Sequence, residues 1–509
     1  MAFGIDRMTY TIGVDLGTSS VKVALLRSDG VVVAKASRPV VLHRPQQGQA
    51  EQDPWAYLET AEACIAAVVA EAKVAPVDVA VIGIDGQMGG ALPVDASLAP
   101  LTPWYPSALD LRYRPYQKRL DARVPRRVVV ERSGADPILA PWILRWSERL
   151  PTWSQTRMVT LLGSWLAGQW AGATVDDLTI DASYLTWTGL ADTKRRQWSD
   201  ELLHAVGVTR DELPRIEEAH AIVGGLTREA ADRCGLVQGT PIVNGTGDQV
   251  AGFIGAGCTR VGQGIDVTGT FPVFAVAVDR YLPDPDVGML RPIAGPGSLW
   301  YVMTFIAGGG LTWAWLDEHM AGSNEESDLL GVRPGCDGVT ALPHFQGRGC
   351  PDEPEQRGAF VGMSWHHTSA HLRRAVLEAF GYEHALALQR MRELAPGLDV
   401  VAVTAIGGQG TATASNRIKA SITGLPYLPA PGDAGFAAAR GAAVLAAFGV
   451  GAIPSIDAMV AVDHAAECER PVPAWRAPYR RGLERYLATM EALRPVFRSS
   501  ADDCTPTGG

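Results

Sequence analysis

The sequence predicts an α/β protein with two large domains, and three observations carry that prediction. At 509 residues the chain exceeds what one ordinary core holds, so it divides. Apolar strand-like runs alternate with amphipathic helical ones, the pattern of sheets covered by helices. An apolar strand that turns through a Gly–Thr pair into a second apolar strand occurs twice, at Ile12-Gly13-Val14-Asp15-Leu16-Gly17-Thr18 and at Ile265-Asp266-Val267-Thr268-Gly269-Thr270. The second copy falls near the midpoint, as a duplicated architecture requires.

The elements follow in order. Residues 11–15 and 21–26 are apolar, and Ser28-Asp29-Gly30 supplies a turn before Val31-Val32-Val33, so the chain opens as a hairpin. Asp53-Pro54 opens a helix, with Asp as cap, Pro in the first turn, and Trp55, Leu58, Ile65, Val68, Val69 and Ala72 at helical spacing. A buried strand follows at 79–84. The stretch 141–213 is rich in Trp and mostly helical, with irregular joints near Thr174 and Thr193, and its tryptophans read as core packing. Strands return at 241–244, 265–268 and 273–278. A long amphipathic helix spans 370–394, and a strand at 400–406 ends in Gly407-Gly408. The polar tail 498–509 reads as disordered.

Composition excludes several classes. A net charge of −10 argues against a nucleic-acid partner, because phosphate backbones demand clustered Lys and Arg. Seven scattered cysteines form neither a zinc knuckle nor a redox pair, which points to a reducing cytoplasm. Asp6 and Arg7 lead directly into strand pattern, without a signal-peptide profile. The apolar stretch 436–453 is interrupted by Arg440 and dominated by Ala and Gly, too weak for a membrane span.

The chemistry starts at Asp15. Gly17 permits a tight turn, and Thr18, Ser19 and Ser20 offer hydroxyl and amide donors to phosphate oxygens. Asp15, at a strand end beside those donors, suits magnesium held through water, while Lys22 adds positive charge or lies on a solvated face. The bland alternative is an ordinary polar turn, which the same residues favour. Neither the nucleotide loop in which Lys follows Gly into a helix nor the dinucleotide glycine fingerprint occurs. A nucleotide-binding α/β chain without either motif points to the actin-like (ribonuclease H-like) ATPase fold, two domains around a central cleft.

Several segments resemble the FGGY family of carbohydrate kinases, nearest to its xylulokinase-like members. Residues 13–20 look like its first phosphate loop, Ile84-Asp85-Gly86-Gln87-Met88 like its sugar-site turn, Gly245-Thr246-Gly247-Asp248-Gln249 like its catalytic loop, and Thr268-Gly269-Thr270 like its second phosphate loop. Gly358-Ala359-Phe360-Val361-Gly362-Met363 with His371-Leu372-Arg373-Arg374-Ala375-Val376-Leu377-Glu378 reproduces the family's C-terminal signature in order and spacing. The resemblance makes Asp248 the general base and places Gln87, Met88 and Gln249 at the sugar. Trp104, Asp110 and Arg112 resemble the family's sugar-contacting Asp-x-Arg element, although a surface ion pair explains the last two as well. Gly407 and Gly408 would approach the adenosine and diphosphate of ATP, with Gln409 and Thr411 nearby.

Departures from the family pattern are local. Gly89 stands where xylulokinases commonly have His. Gln409, Gly410 and Thr411 replace a third glycine, a small residue and Lys, and Ser421 stands for an Asp. The resemblance implies ATP and Mg2+ as cofactors and domains at 8–257 and 259–451, followed by a C-terminal extension, 452–509. The expected activity is ATP-dependent phosphorylation of a small sugar hydroxyl, with a ketopentose such as xylulose as acceptor. The alternatives are another ketose or a polyol (ribulose, glycerol, erythritol), or a non-catalytic sensor on the same fold. The expected partner is the small sugar or polyol, with neither nucleic acid nor membrane, and with a homodimer left open.

Overall fold

The opening hairpin forms as its pattern dictates. Tyr10–Leu16 and Ser20–Arg27 pair antiparallel, with Asp15 opposite Lys22, and Val32–Pro39 continues the meander. The computed structural model describes residues 9–269, 272–320, 325–407, 412–460 and 468–503. Its first sheet runs Ile222–Gly225, Pro241–Val243, Val79–Gly86, Tyr10–Leu16, Ser20–Arg27, Val32–Pro39, with the short strand Thr246–Gly247 also on Val79–Gly86. The second runs Arg291–Ala294, Trp300–Phe305, Val273–Val278, Gln263–Thr268, Ala402–Gly407, Tyr427–Pro429.

The two sheets repeat one topology. In each, the strand entering the Gly–Thr turn is antiparallel to its hairpin partner on one side and parallel to a later strand on the other. A further parallel strand follows beyond that one, and further antiparallel strands lie beyond the hairpin partner. The weak sequence echo is thus a structural duplication, giving two actin-like α/β domains around a central cleft.

Helix Pro54–Ala72 covers one face of the first sheet, with the Asp53 side chain accepting from the Trp55 amide at 2.9 Å as its cap. The other face receives Ala437–Gly449, a helix that the sequence reading assigns to the second domain. It crosses Asp248–Gly255, and the approach is backbone against backbone. A Cβ on Gly13, Gly83, Gly255 or Gly441 would lie 1.7–2.1 Å from a carbonyl oxygen across this seam. Toward the second sheet, Phe253 packs on Tyr301, whose hydroxyl donates to the Cys258 carbonyl at 2.7 Å. The two crossed helices thus join the sheets.

Most of the other sequence-predicted elements appear in place, including Ser369–Leu394. The 141–213 stretch contains Leu139–Arg149, Leu162–Ala171 and Asp200–Val206, and Trp142, Trp165 and Trp170 are fully buried in the core. One expectation changes. The final helix, Arg476–Asp503, continues past Arg498, where the sequence suggests disorder. Tyr479, Tyr486, Met490 and Phe497 on it are buried, and those contacts hold as helix a segment whose composition alone reads as loose. No helix of the described residues is long and apolar enough to cross a membrane.

Candidate active site

The site is assembled at the carboxyl ends of parallel strands, where open α/β sheets place their ligands. Asp15 and Asp85 are in register on neighbouring parallel strands, two residues beyond Gly13 and Gly83, so both side chains share the face on which Ala437–Gly449 packs. Asp248 opens the helix that crosses it. Gly245 sits at φ +81°, and a Cβ there would lie 2.1 Å from the Ile84 carbonyl, so only glycine lets this turn close on the strand.

The three carboxyls are electrostatically linked. Burial, reinforced by the charge of Asp15, pushes Asp248 up to about 7 against the pull of the Gln249 amide, which donates to its Oδ1 at 2.8 Å. The helix N-terminus would favour the anion, yet desolvation wins. Burial also raises Asp15, offset by the charge of Lys22 on the adjoining strand. Asp85 is fully inaccessible and is raised furthest above the usual carboxylate range, by burial and then by Asp15 and Asp248.

A polar scaffold under the turn that carries Asp248 was not legible in the sequence. The Ser183 hydroxyl accepts from the Gly247 amide at 2.8 Å, and the Thr246 hydroxyl lies 3.0 Å from both Ser183 Oγ and Asp181 Oδ2. The Tyr184 hydroxyl donates to the Thr246 carbonyl at 2.8 Å. Asn244 is gripped likewise, accepting from Thr179 at 2.8 Å and donating to the Glu217 carbonyl. The turn carrying Asp248 is therefore fixed on both sides.

Gln87 is buried as expected of a strand-end residue, but its donors are engaged: Nε2 reaches Gln52 Oε1 at 3.0 Å and the Tyr57 hydroxyl at 2.8 Å. Gln52 donates to the Thr18 carbonyl at 2.8 Å, and Tyr57 to the Gly17 carbonyl at 3.0 Å. Gln87 thus props the turn at Gly17 and Thr18 through Gln52 and Tyr57, and its Oε1 is buried without a donor. Met88 is a wall: its side chain lies on Gly247, where any Cβ would come within 2.6 Å of its sulfur.

Asp110 and Arg112 form no surface pair. Asp110 is inaccessible, chelates Arg112 Nε through both oxygens at 3.0 Å and accepts the Ala50 amide at 3.0 Å. Arg112 also meets Glu51 at 2.7 Å and stacks over Trp104 at 4.1 Å. The segment 50–52 thereby ties this cluster to Gln52, and through it to Gln87 and Thr18. At Gly89, an added Cβ would meet Ala108 Cβ at 3.1 Å, a tight contact that a larger residue could make only if Ala108 gave way by a few tenths of an ångström.

On the second sheet, Thr268 and Gly407 are register partners, with the Thr268 hydroxyl donating to the Ile406 carbonyl at 2.8 Å. Gly407 at φ +90° lies where a Cβ would strike the Thr268 carbonyl at 2.5 Å. The strand ends predicted for the second phosphate loop and for adenosine are therefore neighbours. Thr270, Gly408, Gln409 and Thr411 lie outside the described residues. Ser421 anchors the chain locally, accepting the Val472 amide at 3.1 Å.

Among the described residues no trio of His, Cys, Asp or Glu is close enough to encage a metal. A cation here would take most of its oxygens from phosphate and water, which is the habit of Mg2+. Asp15, a buried carboxylate beside Gly17, Thr18 and Ser19, fits that arrangement.

Comparison with known proteins identifies the family. The N-terminal domain model of the FGGY family of carbohydrate kinases matches residues 10–255 and its C-terminal domain model residues 267–450. The chain is 30% identical to the xylulose kinase of Escherichia coli over 435 residues, 81% of this chain and 84% of that protein. It is 29% identical to a glycerol kinase of Citrifermentans bemidjiense, over 88% of this chain and 91% of that protein. A xylulose kinase structure from Rhodospirillum rubrum superposes with a TM-score of 0.85 at 25% identity, covering 96% of this chain and all of that one (100%).

Proposed function

Because the chain belongs to the FGGY family of carbohydrate kinases and is itself a carbohydrate kinase, we propose that it moves the γ-phosphoryl group of ATP to a hydroxyl of a small ketose, with Asp248 as general base. The observation that carries this reading is Asp248 itself, a carboxyl brought to about 7 on a turn fixed by Ser183, Thr246 and Tyr184. A base near the working pH both exists as the anion and retains the basicity to take a proton. The acceptor oxygen attacks the γ-phosphorus, its proton passes to the Asp248 carboxylate, and ADP leaves with the bond to the γ-phosphorus broken.

The remaining residues bind and orient. Gly17, Thr18, Ser19 and Ser20, backed by Lys22, hold phosphate from the first sheet, and Thr268, Gly269 and Thr270 hold it from the second. Gly407, Gly408, Gln409 and Thr411 serve adenosine and diphosphate. Asp15 would hold Mg2+, which supplies positive charge to the phosphates when bound. Gln87 Oε1, Met88, Gln249 and the Trp104–Asp110–Arg112 cluster shape the sugar side.

Xylulose is the leading acceptor, since several similar proteins are xylulose kinases. Gly89 has no side chain to offer where the family resemblance expects a His, so ribulose, glycerol and erythritol belong in the same panel. The test is coupled ADP release across these acceptors. Turnover with one ketose, lost in Asp248→Asn with ADP binding retained, supports the reading. Unchanged turnover of Asp248→Asn refutes it.

A further inference from the structure

Asp85 has a property that neither the turn nor the fold requires. It is fully inaccessible, no amide, hydroxyl or cationic group donates to either of its carboxyl oxygens, and its one side-chain hydrogen-bond neighbour is the carboxyl of Asp15. Burying a carboxyl without compensation is costly, and native cores rarely tolerate it. Nearby polar groups on the turn at 245–248 and its supports are engaged, Ser183, Thr246 and Tyr184 among them.

What stands beside Asp85 is another acid. Asp15 is its register partner on the neighbouring strand, about 4.8 Å away between strands, and the two carboxyls meet on the same face. Asp248 adds a third negative group within electrostatic reach. Lys22 offsets this charge from the strand beyond Asp15, yet it makes no ion pair with Asp85. A sugar hydroxyl placed here would donate one hydrogen bond and leave the adjacent charges in place. A divalent cation would turn the repulsion between Asp15 and Asp85 into joint attraction.

We infer that Asp85 is a second protein ligand for the divalent cation of this site, acting with Asp15, while phosphate and water oxygens complete the shell. The inference rests on the kinase reading only for the source of those phosphates. It accounts for the burial of Asp85 without a counter-ion and for the pairing of two acids in register. Two carboxylates with several exchangeable oxygens is a Mg2+ pattern, whereas Ca2+ or Zn2+ would call for a richer protein cage.

The experiment is a Mn2+ titration followed by the loss of free-ion paramagnetic resonance signal, on the full-length protein with and without ADP. Asp85→Asn keeps the side-chain shape and removes the charge, and Asp85→Ser serves as a second variant if the first folds poorly. Both are checked by ADP affinity without metal. The expected result is Mn2+ affinity in the ADP complex weakened by about tenfold or more in Asp85→Asn, with metal-free ADP binding unchanged. Affinity matching the parent's in both variants overturns the inference while leaving the kinase reading intact. A change confined to the sugar KM also overturns it, and assigns Asp85 to the acceptor instead. Absence of Mn2+ binding by the parent protein, with or without ADP, defeats both this inference and the Mg2+ role of Asp15, and a positive kinase assay would still stand apart from that result.

Discussion

The two Gly–Thr hairpins share a topology but treat buried charge in opposite ways. In the second sheet Asp266, on the strand leading to Thr268, is inaccessible and neutralised: Lys419 Nζ, also inaccessible, lies 2.6 Å from Oδ2. His384 lies 3.9 Å from Oδ1, but burial drives it down to about 4, so it is neutral near pH 7 and the pair is a simple one-to-one ion pair. In the first sheet Asp15 and Asp85 meet with no such partner, and Asp248 faces them. Charge that the chain neutralises by itself is architecture. Charge left without a counter-ion is what the proposed cation answers in the first sheet.

The sharpest way to break this comparison is to exchange the treatment of each acid. Asp248→Asn should lower kcat by about 10²–10⁴, the usual worth of a general base, in a coupled ADP assay at saturating sugar. Asp266→Asn should leave kcat within a few-fold, because that acid faces Lys419 and no substrate. A large kcat loss there would erase the distinction between the hairpins.

Next in size is stability. Lys419→Met strands Asp266 in the core and should cost about 3–5 kcal/mol in denaturant unfolding, whereas Lys419→Met combined with Asp266→Leu should recover most of it. Failure of the double variant to recover would mean that the pair does more than satisfy itself.

The pH dependence is milder and has a defined sign. With Asp248 at about 7, kcat/KM should fall about tenfold per pH unit below that point, since protonation removes the base. A flat profile between pH 5 and about 7 would exclude Asp248 as the group that titrates.

The smallest effect concerns Asp85. Its folded pKa lies above the unfolded value near 3.8, so the folded state binds its proton more tightly and stability declines as pH rises through that window. The metal-free Asp85→Asn protein should therefore melt above the parent at pH 8, with the gap closing toward pH 4. Melting curves at those two values decide it.

Much of this was legible in the sequence because it is local. Periodicity and caps located the helix after Asp53-Pro54, the strand at 273–278 and the long helix of residues 369–394. The order Asp15-Leu16-Gly17-Thr18 stood out through its residue types, whereas the turn at Asp248 stood out only through the family resemblance, since Asp in a Gly-rich turn is ordinary by itself. What stayed hidden depends on distant chain segments meeting. Asp85 read as part of a sugar-site turn, and nothing local shows that it pairs in register with Asp15. Gln87 read as a free amide, because Gln52 and Tyr57, which occupy its donors, lie 35 and 30 residues away. Asp181 and Ser183 look like any cap until Thr246 and Gly247 arrive from 63–65 residues along.

The seam between Ala437–Gly449 and Asp248–Gly255 carries one more consequence. Helices usually interlock through side-chain ridges, and moving one past another means climbing out of a groove. Here Gly255 and Gly441 bring main chain directly onto main chain, and Gly13 and Gly83 continue the smooth track onto the sheet. Such a surface fixes the separation of the two helices by main-chain contact, with no side chain to set the spacing. A single methyl group on that track, far from any reacting atom, would force that main chain apart.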